Sequence, residues 1–141
     1  MKILQAKCQA GIFYRDYGNA LGEAKYPLNL FFESIDAKKY PDLSTSLRKA
    51  MMHYENAADA WKYKISIGDI PVNSEFGKNI QQSYPNAIKD TKAGGANLLE
   101  YNIYIIESLL SLIWNEASKE LDITTKYMLI WKKNYQMKQQ N

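Results

Sequence analysis

Along the first forty residues, apolar side chains return at steps of three and four: Ala6, Ala10, Phe13, Tyr17, Ala20, Ala24, Leu28, Phe31 and Ile35. That is the spacing of one face of an α-helix. The phase passes Pro27 without slipping, so the pattern predicts a helix over residues 4–38, kinked where the proline ring removes a backbone donor. Two helices meeting near Lys25-Tyr26 are the alternative, and Tyr40-Pro41 ends the stripe. A second row of Leu43, Leu47, Ala50, Tyr54, Ala57, Trp61 and Ile65 predicts a helix over 43–67. Asp42 or Ser44 can cap it, and Gly68 stops it. A short link between two helices makes them antiparallel neighbours.

Residues 68–96 lose this rhythm. Gly68-Asp69-Ile70-Pro71, Ser83-Tyr84-Pro85-Asn86 and Gly94-Gly95 punctuate them, and apolar residues are sparse. The reading is a long connection with one short helix near 75–82. Connections of this length often carry function, here as a lid or contact loop, although covering an open side of a bundle would serve as well.

The helical spacing resumes at Asn97. Asn97-Leu98-Leu99-Glu100 resembles a capping box. Leu99, Ile103, Ile106, Leu110, Ile113, Ala117 and Leu121 form a core line over a predicted helix at 97–121, with Leu98, Leu109 and Trp114 widening it. Glu100, Tyr104, Glu107 and Ser111 are assigned to its solvent face. Beyond Leu121, Met128, Trp131 and Tyr135 continue the stripe. Either this helix runs on to about 136, or Asp122 caps a separate fourth helix over 122–136. The predicted fold is all-α: an antiparallel bundle of three to four long helices, residues 1–141 forming a single domain. The apolar run Leu98–Trp114 is interrupted by Glu100, Asn102 and Glu107. It falls short of the ~20 apolar residues of a membrane span, so a buried helix is expected there and not a transmembrane segment.

Composition changes this picture in two places. Eleven tyrosines stand beside three tryptophans and four phenylalanines, enough rings to fill wide helix seams or to line a partner surface. Net charge is +3, but Lys126, Lys132, Lys133 and Lys138 bring four positive charges and no acid to residues 126–141, which leaves the body near neutral. Sixteen lysines against Arg15 and Arg48 argue against a dedicated nucleic-acid binder, because arginine is the favoured bidentate reader of phosphate and guanine. A basic segment interleaved with Tyr127, Trp131 and Tyr135 could still serve a membrane surface or single-stranded nucleic acid. A terminal helix packed on the bundle explains it equally.

Candidate chemistry is thin. Cys8 is the single cysteine, so no disulfide forms within the chain, and a lone cysteine neither demands nor excludes an oxidising compartment. His53, the single histidine, has no partner ligands in zinc-type spacing. Glu100 and Glu107, and Glu116 and Glu120, lack the Glu-x-x-His partners of carboxylate-bridged metal sites. No metal and no cofactor is predicted. Gly11, Gly18 and Gly22 fall along one flank of the first helix, where small residues let another backbone or a flat ligand approach; close packing within the bundle is the plainer reading.

Arg48-Lys49-Ala50-Met51-Met52-His53 has the spacing Arg-x4-His, which resembles the short motif of the HEPN superfamily. Those are helical bundles of similar size that include metal-independent ribonucleases. The resemblance covers six residues and implies Arg48 stabilising a phosphate and His53 assisting proton transfer. Lys49 departs from the polar uncharged or acidic residue usual after that arginine. The motif also falls on the second helix, earlier than is usual in the family. The leading expectation is instead a non-enzymatic bundle that binds a partner protein or a small apolar ligand. Its candidate contacts are Tyr14, Gly18, Gly22, Trp61, Tyr84 and Trp114, and homodimerisation is compatible with it.

Overall fold

The computed structural model describes residues 1–94 and 99–139, with side chains described throughout these except at 93, 94, 99, 131, 132 and 134–139. It is mainly α-helical, consistent with a helical bundle. In chain order the described elements are α1 (Lys2–Ala10), α2 (Tyr14–Glu33), α3 (Ile35–Lys39), α4 (Pro41–Ser66), β1 (Ile70–Pro71), α5 (Glu75–Ser83), β2 (Lys89–Gly94), β3 (Leu99–Tyr104) and α6 (Ile106–Gln139). They group into two units. One comprises Met1–Tyr54 and Glu116–Asn141, the other Glu55–Asn115.

In the first unit the long N-terminal helix is broken, though not at Pro27. Gly11 adopts φ 88°, a backbone conformation that glycine enters without steric cost, and it separates α1 from α2. The apolar phase slips at this point. Leu4 and Cys8 are buried in α1, whereas Ala6 and Ala10 are exposed and Phe13 is 81% exposed. Pro27 sits inside α2 on its solvent side, as does Glu23 four residues earlier. The carbonyl that loses its helical donor can therefore turn to water, and the helix continues. Ser34 ends α2 and starts α3. Its hydroxyl donates to the Phe31 carbonyl at 2.6 Å and accepts from the Ala37 amide at 3.3 Å.

The core of this unit is built on Tyr17, Ala20, Leu21, Ala24 and Leu28 of α2, Ala50, Met51 and Tyr54 of α4, and Ala117 and Leu121 of α6. The Tyr17 hydroxyl donates to the Tyr54 carbonyl at 2.8 Å, and the Ser44 hydroxyl to the Ala37 carbonyl at 2.8 Å. Buried polar groups paired in this way tie α2 and α3 to α4 without a desolvation penalty. The α6 helix runs unbroken through Asp122 to Gln139, so no separate helix starts at 122. Thr124 and Thr125 both return their hydroxyls to the Leu121 carbonyl, at 2.7 and 3.0 Å, which lets poor helix formers sit mid-helix.

In the second unit the stretch predicted as a long connection holds β1, the short helix α5 and β2. The helix predicted from 97 begins only at Ile106, because Leu99–Tyr104 is a strand. β3 is the middle of an antiparallel sheet of order β1-β3-β2, with Gly94 opposite Leu99, Lys89 opposite Tyr104, and Ile70 opposite Tyr104 on the other edge. Asn97, read as a cap, lies outside the described residues, and its would-be partner Glu100 is in the strand. Tyr104, assigned to a solvent face, is 2% exposed, since strand geometry turns it inward. Ile70, Ile80, Tyr84, Ile103, Leu109, Leu110 and Ile113 complete this core.

Candidate functional site

The first unit holds a groove of about 600 Å³ lined by Phe31 at the end of α2, Asp36 and Lys39 of α3, Tyr40, then Pro41, Asp42 and Leu43 opening α4, and Tyr127, Met128 and Ile130 of α6. The α3–α4 corner forms because Tyr40 stands between two short-range turns. Its amide donates to the Asp36 carbonyl and its carbonyl accepts from the Ser44 amide, while Pro41 takes the first helical position, where its missing donor costs nothing. Tyr127, Met128, Leu129 and Ile130 are four consecutive exposed apolar residues, 42 to 63% accessible. At 100° per residue they cover the full circumference of one helical turn. A helix apolar all round is ordinarily covered, and here one side of that turn looks into open space.

The polar groups of the groove are few. Lys39 pairs with Asp36 at 3.6 Å. The Tyr127 hydroxyl lies 3.5 Å from Asp42 Oδ2, at the outer edge of hydrogen-bonding distance. Beside the groove, Phe31 packs at 5.7 Å against Phe32, and the Arg48 guanidinium lies 4.0 Å above the Phe32 ring.

The residues singled out from the sequence fall elsewhere. Tyr14 opens α2 and is 37% exposed. Gly18 and Gly22 are exposed too, and a methyl group added to either would meet nothing within 4 Å. The flank is therefore open, where close packing within the bundle was the plainer expectation. In the second unit Trp61 and Trp114 do come together, edge to face with centroids 5.9 Å apart. Tyr84 is buried, and its hydroxyl accepts from Asn56 Nδ2 at 2.9 Å. None of these six residues lines the groove.

The groups considered for reactivity are muted by burial. Burial pushes the Cys8 thiol up to about 12, so it stays protonated at neutral pH and is a poor nucleophile. The Tyr54 hydroxyl is raised likewise, chiefly by burial and then by Cys8; it faces Ser118 and Cys8 and makes a well-formed hydrogen bond to neither. Desolvation lowers the His53 imidazole below its usual range, against the opposing pull of Glu116 and Glu120. Arg48 of the Arg-x4-His spacing is the cation resting on Phe32. Among the described residues no three His, Cys, Asp or Glu side chains converge as a metal site, and no helix is long and apolar enough to cross a membrane.

No family model matches this chain, and it shows no significant similarity to curated proteins or to solved structures.

The groove residues were missed in the sequence because each had a local explanation. Tyr40-Pro41 reads as a helix end, Asp42 as a cap, Met128 as part of a continuing stripe, and Tyr127 as one ring of a basic aromatic segment. One signal was present: Tyr127-Met128-Leu129-Ile130 places apolar residues on every side of a helix near the chain's end, more than a packed terminal helix needs.

Proposed function

We propose that this chain is a non-enzymatic binding protein that takes a small apolar ligand in the groove between the α3–α4 corner and α6. The observation that carries this reading is the exposed apolar turn Tyr127–Ile130, three of whose residues border an open space of about 600 Å³ opposite Phe31, Tyr40 and Leu43. Ligand pockets run from roughly 300 to 1,000 Å³, are mostly apolar and carry a few polar groups that orient the ligand. A paired lysine, two carboxylates and two phenols fit that role. Filling the space would cover apolar surface otherwise left in water, a gain of about 25 cal/mol per Å².

A neutral solvatochromic dye tests the reading. Saturable binding at one site per chain, with emission shifted to the blue, is the expected result. In the variant carrying Met128→Asp and Ile130→Asp, two solvent-accessible positions, affinity should fall at least about tenfold, because each carboxylate would lose its water to the ligand. Dye binding that does not saturate, or that the double variant leaves unchanged, overturns the assignment.

A further inference from the structure

Resting on the groove as a ligand site, the charges at its mouth say more about the ligand's head. Among the described residues lining it, three carry charge: Asp36, Lys39 and Asp42. Lys39 is held by Asp36 at 3.6 Å, so the lysine's charge is already matched. Asp42 has the Tyr127 hydroxyl at 3.5 Å, so the described lining residues together carry one negative charge in excess. The positive end of the α4 dipole would favour an anion, but Asp42 already occupies the first turn of that helix.

The rings point the same way. Phe31, Tyr40 and Tyr127 border the groove together with these carboxylates. Aromatic faces attract cations, and quaternary ammonium groups in particular are recognised by walls of such rings. The next residue along from Phe31 already shows the interaction, with the Arg48 guanidinium 4.0 Å above Phe32. An anionic head would instead meet the Asp42 carboxylate, while Lys39, the lysine among the described lining residues, is engaged by Asp36.

We infer that the groove's ligand is a single-chain cationic amphiphile, its ammonium or quaternary ammonium head set against Asp42 and the aromatic rings, its alkyl body along the apolar wall. The occupant is a free small molecule, sized to the groove. Its charged head sits at the mouth, where water and the Asp42 carboxylate share its solvation.

Calorimetric titration with three probes of one chain length, below their micellar concentrations and at low salt, tests this: decyltrimethylammonium, decanol and decanoate. The ammonium probe should bind about tenfold more tightly than decanol, and decanoate more weakly than decanol. In the variant Asp42→Asn, an exposed position whose change should leave the circular dichroism spectrum unchanged, the ammonium advantage over decanol should shrink to less than about threefold. Decanoate matching the ammonium probe, or an ammonium advantage that survives in the variant, overturns the cationic assignment and leaves the apolar groove standing. Failure of decanol and the ammonium probe alike takes down the groove reading itself, and this inference with it.

Discussion

At the corner where β1 meets α5, backbone and rings close tightly on one another; at the mouth of the groove the same kinds of residue stand apart. Gly77 of α5 has no room for a side chain. A methyl group there would come within 2.0 Å of the Pro71 carbonyl oxygen and 2.9 Å of that of Val72. Ser74 caps α5 at the same corner, accepting from the Gly77 amide at 2.9 Å and donating to the Pro71 carbonyl at 2.7 Å. The buried Tyr104 hydroxyl donates to the Gly77 carbonyl at 3.1 Å, and Tyr63 stacks on Phe76 with centroids 4.9 Å apart and planes 8° from parallel. Tyr40, Tyr127 and the glycines of α2 make no comparable closure. Residue type alone therefore does not mark a binding surface in this protein. What separates the two regions is whether neighbouring backbone already fills the space.

The sharpest way to break this comparison is Gly77→Ala. The obstructing atoms are backbone and cannot step aside as a flexible side chain would, so a loss of about 3 kcal/mol is expected, read as a lowered denaturant midpoint. A variant as stable as the parent would show that the corner is not closed.

Gly18→Ala and Gly22→Ala should act in the opposite direction. With open space around each and helical backbone, alanine should add roughly 0.8–1 kcal/mol apiece. Destabilisation of the isolated chain by either would mean that the α2 flank is covered after all.

The smallest contrast is between two hydroxyls. Tyr104→Phe leaves the buried Gly77 carbonyl without that donor and should cost about 1 kcal/mol. Tyr127→Phe removes a long, exposed contact and should change stability by no more than about 0.3 kcal/mol. Equal losses would place the groove among the packed regions of the molecule.

Much of the helical framework was legible in advance. The helix expected over 43–67 is α4, Pro41–Ser66, because Ala50, Tyr54 and Ala57 form an unbroken buried row and glycine follows its end. The short helix expected near 75–82 is α5. The break at Gly11 was hidden by alanine, which counts as apolar in a pattern yet loses little in water. Ala6 and Ala10 drew the stripe straight through a segment whose buried residues are Leu4 and Cys8. Strand β3 was hidden for another reason. Ile103 and Ile106 suit a helical stripe, and the partner strand Lys-Asp-Thr-Lys-Ala-Gly offers no apolar alternation to announce itself. The six candidate contacts stand out by residue type within single helices or, for Tyr84, within the connection, whereas the groove is assembled from α2, α3, α4 and α6 together.

By itself the sequence determined that the chain is mainly helical and where α4 and α5 run, since a helix satisfies its backbone within a few residues and its buried face repeats with the turn. It also determined that aromatic rings are plentiful and that basic charge gathers in the last sixteen residues. The tertiary structure alone decided which turn a glycine opens, which strand claims residues 99–104, and that Tyr127 meets Asp42 across 85 residues of chain. Those outcomes depend on contacts between distant segments, whose free energies no local spacing records.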